Sequence, residues 1–221
     1  MDVELIIFGR WEFRNPEQER KAINRRRPFG VTADLSRLAN SSGNITRGAS
    51  SLIEFAGILR EVFEPPDARF KSLSIITHSD GTSLWLRGTL NADPESFVHT
   101  YDLTPRTVRE RLRPTVTDVL KGKMLPDAKI TLYGCHSGNH IVPKDLLDAF
   151  ALAFDVDCFG FKRGLQVCVD IDKKTHKITD RGWIRIDDGS KAQGKTCEVA
   201  GFVRDLRKLV PDASRPVVRI R

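Results

Sequence analysis

No apolar run in this 221-residue chain reaches the roughly 18 residues that a membrane-spanning helix needs. The opening stretch, MDVELIIFGRWEF, sets acids ahead of a short apolar run, the wrong charge order for a secretory leader. A cytoplasmic protein without a membrane segment is therefore expected. Cysteine is scarce: four residues, at 135, 158, 168 and 197, with no CxxC pair. Structural zinc spacings are thereby excluded, and in a reducing compartment free thiols are favoured over disulfides. Cys158 and Cys168 read as small apolar strand residues. Repeats and low-complexity tracts are absent. Aromatics are not interleaved with basic residues on any candidate strand, so nucleic-acid binding is not expected despite a formal charge of +7.

What remains is the composition of an α/β protein. VELIIFGR (3–10), SLSIITH (72–78) and AKITLYG (128–134) are short apolar runs that predict buried strands. Between them lie helical patterns at 50–63, 104–120 and 143–154. The first is capped by Ser50 or Ser51 and places Leu52, Phe55, Ala56, Leu59 and Phe63 on one face. The second is interrupted by Pro114, and the third carries Pro143 in its first turn. TSLWLRG (82–88) predicts a strand after a tight turn. VDCFGF (156–161), LQVCVDID (165–172) and GWIRID (182–187) predict three more, the last two joined by a hairpin tip. Residues 14–48 are polar and Gly/Asn/Ser-rich, and predict an irregular insertion or lid. Residues 189–221 predict a loop and a helix (197–210) packed on the main domain, 1–188. Strands alternating with helices predict a mainly parallel sheet with helices on both faces.

Two turns carry chemistry. IITHSDG ends a strand at His78, and TLYGCHSG ends another at Cys135. Sites in open α/β sheets form at the carboxyl ends of strands, so parallel neighbours would bring both side chains to one rim. An imidazole can take the proton of a thiol or stabilise the thiolate, which is the pairing that acyl transfer through a thioester uses. Gly134 permits a sharp turn, and amides around Cys135 and in Ser79–Asp80–Gly81 are candidate oxyanion donors. One such donor contributes about 3 kcal/mol to a transition state. Three rival readings stand beside this one. His78 can cap a carbonyl and Cys135 simply pack, leaving a non-catalytic interaction module. Cys135, His136 and His140 crowd together, but without a zinc spacing, so no metal is expected. GSKAQGKT (189–196) fits a phosphate loop through Gly189, Gly194, Lys195 and Thr196, yet only 25 residues follow Thr196, too few for the core a P-loop domain builds after it.

HSDG followed by TSLWLRG, together with YGCHSGN, resembles the His and Cys motifs of caspase-fold (clan CD) cysteine peptidases. CHSG is similar to the Cys segment of metacaspases, and strand–His–turn–strand, then LYGC and a helix, resembles CHAT-type proteases and the self-cleaving domains of bacterial toxins. VDCFGFKRGLQVCVDIDKKTHKITDRGWIRID resembles the flap of the toxin domains, here 165–187. The likeness spans about residues 70–187. It implies a caspase-like three-layer sandwich and a cysteine endopeptidase acting on a protein or peptide, with Cys135 the nucleophile and His78 its base and acid. Gly81 would answer to the glycine after the family histidine, displaced by two residues. Ser79 and Gly134 would support the oxyanion. The acid that sits two positions before the family cysteine in metacaspases is Tyr133 here, so preference for Arg or Lys does not transfer. The resemblance implies no required cofactor. It does raise inositol polyphosphate activation, on Lys162, Arg163, Lys173, Lys174, Lys177 and Arg181. Substrate residue and oligomeric state stay open.

Overall fold

The apolar N-terminal run forms β1 (Asp2–Phe13), the strand about which the sheet is organised. The computed structural model describes residues 1–13, 45–90, 98–100, 103–139, 145–162, 164–171, 178–186 and 211–217. β2 (Ile45–Ala49) pairs parallel with β1, Leu5 opposite Ile45 and Gly9 opposite Ala49. This strand corrects the expectation of irregular chain through residue 48. ITRGA has only Ile45 and Ala49 as apolar residues, too few for a strand signal, and its hydrogen bonds are supplied by the edge of β1. Residues 14–44 lie outside the described residues.

α1 (Leu52–Phe63) follows, with Ser51 as its N-cap: the Glu54 amide donates to Ser51 Oγ at 3.2 Å. Glu54 reaches back to accept from the Ser50 amide and hydroxyl, at 2.7 and 2.9 Å. These contacts satisfy amides that have no partner inside the helix. Phe55, Leu59 and Phe63 are fully buried, joined by Ile58 and Val62, while Leu52 and Ala56 sit at the margin. Lys123 Nζ donates to the carbonyls of Phe63 and Pro65 and so closes the C-terminal end of α1.

β3 (Arg69–Ile76) runs parallel to β1 on the side opposite β2. After a bend at Thr77 come two short pieces, β4 (His78–Ser79) and β5 (Leu84–Trp85), which pair antiparallel with each other. β6 (Arg87–Leu90) and β7 (Val98–Thr100) extend the sheet from the far end of β1. Next is a helical run in three parts: α2 (Pro105–Thr107), a π turn (Val108–Leu112) and α3 (Arg113–Val119). The predicted interruption at Pro114 takes this form. Proline would drive its ring into the carbonyl four residues back, and the π turn opens the helix just before it. The Arg113 amide accordingly donates to Val108 O, five residues back.

β8 (Met124–Tyr133), α4 (Leu146–Phe154) and β9 (Asp157–Gly160) complete the parallel part. α4 begins at Asp145, whose carboxylate accepts from the Asp148 amide at 3.1 Å, rather than at Pro143, which lies outside the described residues. β10 (Leu165–Ile171) and β11 (Ile178–Ile186) form a separate antiparallel pair. β11 starts four residues earlier than predicted. β12 (Ala213–Arg215) closes the far edge against β9. The predicted helix at 197–210 lies outside the described residues.

The central sheet therefore has the order β12-β9-β8-β3-β1-β2, all parallel but β12. Numbered by chain position, its parallel strands run 2-1-3-8-9, so the strand order reverses between β1 and β3. Val3, Leu5 and Ile7, Leu73 and Ile75, and Ala128, Ile130 and Leu132 share one face and pack into the hydrophobic core with the helices. Phe63, Phe70, Phe154 and Phe150 run through it as a chain of rings with centroids 5.7 to 6.1 Å apart. α1 touches α3, and α3 touches α4, so the described helices form one layer on this face. The second helical layer that a three-layer sandwich requires is not seen among the described residues.

Candidate active site

β3 and β8 are parallel neighbours, with Ile76 opposite Tyr133 as their last register pair. The Thr77 amide donates to Tyr133 O at 3.2 Å, so the strands stay joined as they leave the sheet. His78 and Cys135 each lie two residues beyond that pair. Two close approaches show that the turns they begin lie against each other. A Cβ on Gly134 would stand 2.7 Å from Ser79 Cβ and 3.1 Å from Thr77 O. A Cβ on Gly81 would stand 2.9 Å from His136 O, and Gly81 has φ +88°, a conformation open to glycine at little cost. HSDG and CHSG are thus packed backbone to backbone at the carboxyl rim. Ser79, Gly81 and Gly134, the three predicted supporting residues, form that contact.

The histidine turn is a small polar cage. Thr77 Oγ1 donates to Trp85 O. His78 pairs across β4–β5 with Trp85, and the rings stack with centroids 6.2 Å apart and planes 26° apart. His78 is half-buried, with Nε2 shielded from solvent. Asp80 accepts four hydrogen bonds, from the amides and hydroxyls of Thr82 and Ser83, at 2.8 to 3.0 Å. Partial burial pushes the Asp80 carboxyl upward, but these four bonds together outweigh it and hold it below the usual value. The amide of Gly81 donates to Ser79 Oγ at 3.1 Å. The amides of Gly81, Thr82 and Ser83 are therefore engaged inside the turn itself.

The cysteine turn is fixed from the other side by β9. Ser137 is fully buried; its Oγ donates to Leu132 O at 2.7 Å and accepts from the Phe161 amide at 3.2 Å. The Gly138 amide donates to Phe161 O at 2.9 Å. His136 takes a left-handed conformation, φ +58°, and its Nδ1 lies 3.0 Å from Lys162 O. The ring of Tyr133 packs against Phe161 at 5.6 Å. Cys135 is half-buried, whereas Cys158 is fully buried and burial pushes its thiol well above the ordinary range. A thiol so raised is protonated at neutral pH and chemically quiet.

No protein-family model, curated protein or solved structure matches this chain.

Among the described residues, a thiol and an imidazole on neighbouring strand ends are the groups suited to nucleophilic chemistry. His140, Arg163, Lys173, Lys174 and Lys177 lie outside the described residues, as do Gly189, Gly194, Lys195 and Thr196 of the phosphate-loop pattern. No helix among the described residues is long and apolar enough to cross a membrane. Sequence reasoning passed over two residues that build the site. Ser137 reads as a bystander beside Cys135, and Trp85 as an ordinary strand residue. A serine before a glycine, four residues past the end of a buried strand, was the available signal for the first. A tryptophan seven positions beyond a candidate histidine, across a tight turn, was the signal for the second.

Proposed function

We propose that this chain is a caspase-like cysteine endopeptidase in which Cys135 attacks the scissile carbonyl and His78 moves the protons. The observation that carries the reading is the packing of the two turns at the ends of β3 and β8, His78 and Cys135 each standing two residues past the Ile76–Tyr133 pair. In the first step the Cys135 sulfur bonds to the carbonyl carbon and its proton passes to His78. The tetrahedral oxyanion collapses, the C–N bond breaks, and His78 protonates the departing amine. Water then adds to the thioester as His78 takes its proton, and the C–S bond breaks to free the acid and the thiol. The Trp85 ring stacked beside His78 narrows the imidazole's freedom, which favours general acid–base transfer. The amides of Gly81, Thr82 and Ser83 are engaged within their own turn, and those of Ser137, Gly138 and Asn139 are engaged in the cysteine turn, so none of these six is assigned to the oxyanion.

The test is cleavage of a mixed-sequence peptide library by the purified full chain, read by mass spectrometry. Defined cut sites that vanish in both Cys135→Ala and His78→Ala support the reading. Cleavage that survives either substitution, or no cleavage by a folded wild-type protein, supports the non-catalytic interaction module instead.

A further inference from the structure

The outer side of the helical run from α2 to α3 carries a groove of about 500 Å³, lined by Arg109, Arg113, Pro114, Thr117, Asp118 and Lys121. All six are exposed, while Val108, Leu112, Val116 and Leu120 turn to the core. Among the described residues, the side chains of these three cations have no ion-pair or hydrogen-bond partner. Their neighbour Arg106 behaves differently: it pairs with Glu110 one turn on, at 3.0 Å. Arg109 and Arg113 are spaced four apart, a like-charge spacing that destabilises a helix by roughly 0.2–0.5 kcal/mol. The π turn that accommodates Pro114 lies under the same two arginines. Such turns recur at functional sites because the extra residue re-aims side chains on the exposed face.

We infer that this groove docks an extended acidic segment of a partner protein. The spacing favours an extended chain. Arg109 and Arg113 are about 6 Å apart along the axis, and Arg113 and Lys121 about 12 Å. Alternate residues of an extended strand are about 6.7 Å apart, and residues four apart about 13 Å. Acids at positions i, i+2 and i+6 therefore meet all three cations in one register. Asp118 lies between the second and third cations and repels an acid at i+4, so the groove reads a pattern and not charge alone. No aromatic lines the groove, so the stacking platform that single-stranded nucleic acid uses is missing from it.

The experiment is fluorescence anisotropy on the full chain with a fluorescein-labelled peptide, Ser-Asp-Ser-Asp-Ser-Ser-Ser-Asp-Ser, at 50 and 200 mM salt. The expected result is saturable binding with Kd below about 1 mM, weakening as salt rises. Arg109→Glu with Arg113→Glu should weaken it at least tenfold, and Lys121→Glu alone, a milder change should the double variant misfold, about threefold. A control with the same charge change on exposed strand residues, Arg69→Glu with Lys129→Glu, should leave the affinity within twofold. Cys135→Ala should bind as wild type, which separates this inference from the peptidase reading. Equal losses in the groove and control variants would overturn it, because binding would then follow net charge. So would equal affinity for a peptide with its three acids contiguous, or tighter binding of a ten-nucleotide oligo(dT) that the groove variants abolish.

Discussion

Gly134 shows how little freedom the rim has. Any side chain there would meet Ser79 Cβ, an atom fixed to the backbone of the histidine turn, and Leu84 Cδ2 at 3.4 Å behind it. Gly134→Ala must therefore separate the two turns. Overpacking of this kind typically destabilises by about 1–3 kcal/mol. In a chain of this size each 1 kcal/mol lowers Tm by about 2–4 °C. The expected outcome is a Tm lower by several degrees in a calorimetric scan, together with slower alkylation of Cys135, because the pair is pulled apart as well as loosened. Gly57, where an added Cβ meets nothing within 4 Å, is the matched control, and Gly57→Ala should hold or raise the Tm. That the turns of His78 and Cys135 end neighbouring strands was legible, because each follows a short apolar run that marks a buried strand. Ser137 was not. Its worth comes from Leu132 O and Phe161 N, and the second of these lies on another element that only the fold brings near.

At the level of elements, β12 holds the rim from the edge of the sheet. It pairs with β9, and Ala213 packs where a Cβ on Gly138 would approach it to 2.6 Å. Asp212 accepts from the Lys162 amide at 2.5 Å, and the Val217 amide donates to Asp157 at 3.0 Å. Arg215 reaches the nearly buried Asp145 at 3.2 Å and Asp148 beside it, joining this last strand to the start of α4. Arg215→Ala would take a counter-charge from Asp145, which is nearly buried. Breaking a fully buried pair costs about 3–5 kcal/mol, and with Arg215 partly exposed about 1–3 kcal/mol is expected. A urea midpoint lowered with an unchanged slope would bear this out, and an unchanged midpoint would show the contact to be idle. β1, β3, β8 and β9 were legible from apolar runs, and α1 from its spacing and serine cap. β2 and β12 were not, for ITRGA and ASR carry too few apolar residues to signal a strand. The helical layers had the same limit: periodicity gave the buried stripe of α1, but not the shared face on which α1, α3 and α4 stand in a row.

At the scale of the molecule, one sheet serves two regions. Its carboxyl rim gathers the turns of His78 and Cys135, and the segment from Arg109 to Lys121 that covers its core face carries exposed cations at Arg109, Arg113 and Lys121. On the proposed mechanism, general base assistance by His78 across this rim contributes about 10²–10⁴-fold. That magnitude sets the decisive measurement: the rate at which a peptidyl acyloxymethyl ketone labels the native chain, with the modified residue mapped by mass spectrometry. Labelling is expected at Cys135, with none at the buried Cys158 until the protein is unfolded and a fall of about a hundredfold or more in His78→Ala. Labelling that goes to another cysteine, or a Cys135 rate unchanged by His78→Ala in a folded protein, would contradict the proposed mechanism.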